Sequence, residues 1–252
     1  MVRAGRLGAA VIACMFGLTA GGVVLATPVF ACDTSASGTS CAPDSLATST
    51  SSTLAASQSG TLNSCPPPIS GGACFNANYT EEVYRDPNNV FCANCLTWLV
   101  QLTDNTVPQN DTVDPIERIT IGNFSGWRTD QGTDSNAPPA GSSESNSGTA
   151  NPDGVSRDSS GTVLAWTFNT TNEILPGAST KVLDVMTNST QVCPGQISAQ
   201  DQSAASAAGL APCASTVTPE VPATLLIVVV GGGAVGAYLY FRRRRRSDVA
   251  IG

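Results

Sequence analysis

The chain has 252 residues, twelve Lys or Arg against nineteen Asp or Glu, a formal charge of −7, nine cysteines and no histidine. The missing imidazole excludes Ser-His-Asp and Cys-His catalysis and every zinc site that uses histidine. The acidic balance argues against nucleic acid as a partner, because that binding needs basic patches to neutralise phosphates.

The charge is unevenly spread. Between Cys32 and Pro222 only Arg85, Arg118, Arg128, Arg157 and Lys181 oppose eighteen acids, while the other basic residues sit at the two ends. At the amino end Arg3 and Arg6 precede an apolar run from Leu7 to Ala26, followed by small residues. That order predicts a secretory signal over residues 1–31, removed by signal peptidase after Val29-Phe30-Ala31 to leave Cys32 first. Val24-Leu25-Ala26 is a second candidate site. A lipid-anchored Cys32 fits less well, because Phe30 is large for a position where lipoprotein signals carry a small residue.

Residues 32–74 are rich in Ser, Thr, Ala and Gly, with too few large apolar groups to offset the entropy of ordering. They read as a flexible segment pinned by its cysteines. From residue 75 to 215 the pattern becomes that of a half-buried sheet. Leu96, Trp98, Val100 and Leu102 alternate along CLTWLVQLTDN, with Leu99 as the exception. Ile119 and Ile121 alternate in ERITIGNF, and Leu164, Trp166 and Phe168 in GTVLAWTF; in TKVLDVMTN, Leu183 and Val185 alternate with Val182, Asp184 and Met186. Turn chemistry separates these four strands, and no helical amphipathicity appears outside the two terminal apolar runs, so the expected fold is an all-β sandwich. Residues from Asp130 to Gly154 read as a long polar loop on it.

Candidate chemistry is sparse. With Cys14 lost in the signal, eight cysteines remain, an even set that suits disulfides in an exported chain. Neighbour arguments favour Cys193 with Cys213, and Cys92 or Cys95 with Cys65 or Cys74. Cys92-Ala93-Asn94-Cys95 has redox spacing, but a strand pattern follows it where a redox site would place a helix terminus, so separate structural bridges are expected. An exported thiol oxidoreductase is the corresponding alternative function. Lys181, the chain's single lysine, reads as an exposed sheet position. Asp130, Asp134 and Asp153 could serve a calcium- or glycan-binding module, although their spacing does not follow the EF-hand ligand pattern. No catalytic, cofactor or metal residue is assigned. The Asn-x-Ser/Thr triplets headed by Asn78, Asn110, Asn123, Asn169 and Asn188 arise readily by chance in so Ser/Thr-rich a chain and carry no argument.

The carboxyl end is the most informative stretch. Ala223 to Phe241 is nineteen residues without a charge, and at about 1.5 Å per residue a helix of that length roughly matches a ~30 Å hydrocarbon core. Arg242, Arg243, Arg244, Arg245 and Arg246 follow and should stay on the cytoplasmic side, leaving 242–252 as an Arg-rich tail. Residues 216–222 link this span to the ectodomain.

Pro219-Glu220-Val221-Pro222-Ala223-Thr224, the apolar span and the arginines together resemble the C-terminal sorting signal of PEP-CTERM proteins, with Val221 inserted between the glutamate and the second proline. The phrases WLVQLTDN, ERITIGNFSGWRTD, PDGVSRDSSGTVLAWTFN, EILPGASTKVLDVMTNST and ISAQDQSAAS are similar, in order, to the ectodomains carried by such proteins, over roughly residues 95–212. The resemblance implies a bacterial exported β-sandwich, sorted by an exosortase-like transpeptidase or held in the membrane, with a structural or adhesive role and no catalytic residues. The inserted Val221 favours retention of the span over its removal.

Overall fold

The computed structural model describes residues 33–65, 74–106 and 115–214. Its elements are all strands: β1 (Ser40–Cys41), β2 (Asp44–Leu46), β3 (Thr53–Asn63), β4 (Asn76–Asp86), β5 (Cys95–Asp104), β6 (Arg118–Ile121), β7 (Thr129–Asp134), β8 (Gly154–Arg157), β9 (Leu164–Thr167), β10 (Leu183–Thr187), β11 (Val192–Gln200) and β12 (Ala204–Pro212). They form two six-stranded sheets, the first in the order β1-β8-β9-β6-β11-β12 and the second in the order β2-β7-β10-β5-β4-β3. Pairing is antiparallel except between β2 and β7. Among the described residues no helix is long and apolar enough to cross a membrane. The signal segment 1–31, Cys32, the sorting motif Pro219 to Thr224, the apolar span and Arg242 to Arg246 lie outside the described residues.

The four alternating segments became β5, β6, β9 and β10, and their apolar faces meet between the sheets. Leu96, Trp98, Val100, Leu102, Ile119, Ile121, Leu164, Trp166, Leu183 and Val185 share one core, with exposures of 0–1%. Burying each such side chain contributes roughly 1.5–3 kcal/mol. Trp98 meets Phe124 edge to face, ring centres 5.5 Å apart. Trp166 crosses the core to donate its indole N–H to the Gly132 carbonyl at 3.1 Å. Leu99, the exception to the alternation, faces outward and packs with Tyr84 and Val182 in a second, smaller cluster.

Three expectations are corrected. Residues 32–74 are not simply a flexible segment, because Ser40–Cys41, Asp44–Leu46 and Thr53–Asn63 supply strands to both sheets, so the sandwich begins well before residue 75. The reason is backbone rather than side-chain burial. β3 is mostly exposed and polar, yet it pairs with β4 from Thr53 opposite Arg85 to Asn63 opposite Asn76, and each inter-strand bond satisfies groups that would otherwise seek water. Second, the polar stretch from Asp130 is not loop throughout. Thr129–Asp134 is an interior strand of the second sheet between β2 and β10, and Gly132 is required there because a Cβ would strike the Asp44 backbone carbonyl. Third, Lys181 lies just before β10 and is half-buried.

Candidate functional site

The outer face of the second sheet is the unusual surface. Asp184 stands opposite Gly132 on β7 and Leu99 on β5, and Leu99 stands opposite Glu82 on β4. Because side chains alternate across a strand, Asp130, Asp134, Asp184, Glu82 and Tyr84 share this face while Trp98 and Val185 point into the core. Residues 135–150 run over it. They are seated at one end by Asn136 Nδ2, which donates to the Thr48 carbonyl at 3.1 Å, and at the other by Thr149 N, which donates to the Ser179 carbonyl at 3.0 Å.

Glu82 clamps the middle of this loop. It accepts hydrogen bonds from Ser142 Oγ at 2.5 Å, Ser143 Oγ at 2.6 Å, Ser143 N at 3.0 Å and the Tyr84 hydroxyl at 2.6 Å. Burial raises its pKa, but these bonds to the charged form outweigh burial and hold the carboxyl below its ordinary value. Serine is suited to the task, since its short hydroxyl donates while its backbone remains free to turn.

Beside that clamp lie acids of the opposite character. Glu144 is 7% exposed and neither carboxyl oxygen has a hydrogen-bond partner. Asp184 is fully buried, with one oxygen accepting from Thr48 Oγ1 at 2.9 Å and the other unpartnered. Burial, reinforced by the charges of Glu82, Asp184, Asp134 and Glu81, pushes Glu144 well above the usual carboxylate range. Asp184 is driven the same way by burial and then by Asp134, with Asp86 and Asp130 adding to it. Asp130 is pushed up to about 7, first by burial and then by Asp44 and Asp33. Among the described residues no arginine or lysine neutralises these groups, and the one ion pair is Arg128 with Asp33, at 3.9 Å and largely in water. The chemistry of the site is therefore that of buried carboxyls whose surroundings favour the protonated form, kept under a serine-rich loop beside a Glu82 whose hydrogen bonds favour the ionised one. Among the described residues no three acidic or cysteine side chains converge as a metal-ligand group.

The three acids singled out in the sequence do not meet. Asp130 and Asp134 are in β7 of the second sheet, whereas Asp153 accepts from Asn169 N and Asn172 Nδ2, both at 2.7 Å, beside β9 of the first. The acids that do gather, Glu144, Asp184 and Glu82, had no local sequence signal, because register and loop closure bring them together.

Sequence reasoning also missed Arg157. Its guanidinium donates to the carbonyls of Gly161 (2.7 Å), Trp127 (2.8 Å), Thr34 (3.0 Å) and Phe124 (2.5 Å), tying the amino-terminal segment to two loops of the sandwich. Burial lowers its pKa, and with its donors taken up by carbonyls it acts as a structural cation.

The cysteines are partly as expected. Cys193 bonds Cys213 and staples the open end of the β11–β12 hairpin, with Cα atoms 4.7 Å apart. Cys65 bonds Cys74 across the β3–β4 connection, Cα atoms 4.9 Å apart, and Cys92 bonds Cys95, at 5.3 Å. The expected cross-pairing of Cys92 or Cys95 with Cys65 or Cys74 is thus overturned, as is the assignment of Cys92 and Cys95 to separate bridges. Chain geometry explains it: each pair closes its own turn, and the β4–β5 turn folds back on itself with Asn94 at φ 62°. Cys41 is also disulfide-bonded.

The fold and this site define a disulfide-stapled, all-β two-sheet protein with an acid-lined outer face. No protein-family model, curated protein or solved structure matches the chain.

Proposed function

We propose that the chain is a non-catalytic bacterial cell-surface or extracellular-matrix protein, exported through a cleaved signal and anchored or sorted through its C-terminal tail, with a structural or adhesive role. The observation that carries this reading is the set of disulfides stapling a β-sandwich, two within strand connections and one at the open end of a hairpin, since such bonds persist in oxidising, exported compartments. The sequence supplies the rest: an Arg-led apolar amino end, a Pro-Glu-Val-Pro-Ala-Thr motif, an apolar span and five arginines. Its partners are then the membrane, signal peptidase and, where the tail is processed, an exosortase-like transpeptidase. Binding of calcium through Asp130, Asp134 and Asp153 together finds no support in their placement on different sheets.

The test is the intact mass of the protein recovered from its native envelope, with both ends mapped. A species from Cys32 to Gly252 is the expected result and means a retained anchor. One ending near Glu220 or Val221 means a removable sorting tag. A full-length species in the soluble cytoplasmic fraction, its cysteines reduced, would sink the proposal.

A further inference from the structure

The bridges differ in what they have left to hold. Cys193–Cys213 joins two strand ends, with a sequence separation of 20, and Cys65–Cys74 joins the flanks of a strand connection. Cys92–Cys95 spans a separation of 3, inside a turn that is already secured without it. Asn94 N donates to the Asp86 carbonyl at 2.8 Å, Cys95 N to the Cys92 carbonyl at 3.1 Å, and Leu96 N to the Ser189 carbonyl at 2.9 Å. Asn89 Nδ2 reaches over the turn to the Leu96 carbonyl at 3.1 Å, and Asp86 Oδ1 accepts from Asn88 N at 2.9 Å. A bond that closes so short a loop removes little chain entropy compared with the others.

Its two sulfurs also sit in opposite surroundings. Cys92 is exposed, as are Ala93 and Asn94, whereas Cys95 opens β5 and is fully buried. One residue before Cys92, Phe91 carries the Arg128 guanidinium over its ring at 4.7 Å, a cation that Asp33 accompanies at 3.9 Å. An incoming thiolate can reach the Cys92 sulfur and not that of Cys95, and exposed bridges are the labile ones.

We propose that Cys92–Cys95 is a thiol-exchange site, through which the protein accepts two electrons from an exported dithiol partner. The partner's thiolate attacks the Cys92 sulfur, forming a mixed disulfide, and the Cys95 sulfur leaves and takes up a proton. The partner's second thiolate then attacks its own sulfur in that mixed disulfide and forms the partner's internal disulfide. Cys92 is released and protonated. The exchange conserves atoms and charge: one dithiol is oxidised as one disulfide is reduced.

The full chain, purified oxidised, is titrated with dithiothreitol under native conditions, the opened cysteines are alkylated, and peptides are mapped by mass. Cys92 and Cys95 are expected to open at a dithiol concentration at least about tenfold below that needed for Cys193 and Cys213, with the fold retained and the thermal unfolding midpoint lowered by less than opening Cys193–Cys213 lowers it. Opening of all bridges together, or mapping of Cys92 and Cys95 into different bridges, overturns the proposal. The variants provide a second reading: Cys95→Ser should leave a Cys92 that reacts with an aromatic disulfide reagent at least about tenfold faster than Cys95 does in Cys92→Ser. Equal or reversed rates contradict the exposed-attack mechanism. Both comparisons are made on chains whose circular dichroism matches the parent.

Discussion

The two faces of the second sheet are built from the same strands on opposite plans. The inner face of β5 and β10 buries Leu96, Trp98, Val100, Leu183 and Val185 against the first sheet, a predominantly apolar surface that neighbouring β4 interrupts with Glu81. The outer face, one residue out of phase, buries Glu144, Asp184, Asp134 and Glu82 under residues 135–150. Apolar burial is indifferent to pH, whereas burial of an acid is favourable only while the acid keeps its proton. One face should therefore chiefly set how stable the domain is, and the other, together with Glu81, should chiefly set where on the pH scale it is stable.

The largest effect should come from breaking the inner face. Trp98→Ala removes a fully buried ring that touches Phe124, and is expected to cost roughly 3–5 kcal/mol, read from chemical denaturation at any pH between 5 and 8. Next comes the staple at the end of the first sheet. Replacing Cys193 and Cys213 together with Ser should cost about 3 kcal/mol, and the same change at Cys92 and Cys95 about 1–2 kcal/mol, because the entropy removed from the unfolded chain grows with the loop closed. Equal losses for the two pairs would mean that the Cys92–Cys95 turn depends on its bridge as much as the hairpin does.

The inner face was also the legible one. Alternation of large apolar residues marks β5, β6, β9 and β10 directly, since their partners across the sandwich demand it. β4 hid because its inward row, Ala77, Tyr79, Glu81 and Val83, is interrupted by an acid. Glu81 is tolerated there since it crosses the sandwich to accept from Leu210 N at 2.8 Å on edge strand β12, while Tyr79 donates to the Ala208 carbonyl at 2.5 Å. β3, β7 and β12 hid for another reason: strings such as TDQGTD and AASAAGLAP hold little to bury, and their place is fixed by backbone pairing that no local window records. The acid cluster lay beyond reach of the sequence for the same cause, as Glu144 meets Asp184 only after β7 and β10 have paired and the loop has closed.

A smaller, graded effect should expose the outer face. On that face Asp130 is pushed up to about 7, chiefly by burial, and Glu144 and Asp184 are raised as well, while Glu81, on the inward row of β4, is pushed up to about 8 by burial and adds to the same trend from the other side of the sheet. A carboxyl whose folded pKa exceeds its unfolded one contributes stability that is fully present below the unfolded value, about 4, and is lost as pH rises through the folded value. Glu82, held low by its hydrogen bonds, works in the opposite sense and loses its contribution as pH falls below about 4. Melting temperature should therefore be highest near pH 5 and decline steadily to pH 8. A profile that is flat, or rises over that interval, would mean that these carboxyls are ionised in the folded protein. Should calcium abolish the decline, a cation rather than a proton would be neutralising the face.

Glu144→Gln separates the loop from the rest of this effect. Glutamine keeps the shape of the side chain, cannot ionise, and carries an amide that must find the partners Glu144 lacks, so two terms oppose each other. At pH 5, where burial favours the protonated form of Glu144, the amide's desolvation dominates and the variant should be level with the parent or slightly less stable. At pH 8 the parent must either retain a proton against the solution or leave a charge among Glu82, Asp184 and Asp134, and the variant should be the more stable by about 1 kcal/mol. The crossover distinguishes this face from the apolar core, where replacing a hydrocarbon side chain should cost the same at both pH values. Hydrogen exchange supplies the local reading: amides of 135–150 should exchange faster in the parent at pH 8 than at pH 5 after correction for intrinsic rates, and the difference should shrink in the variant. If the variant's stability tracks the parent's at both pH values, the Glu144 carboxyl is not what makes the loop sensitive to pH, and Asp184, buried beneath it on β10, becomes the residue to replace.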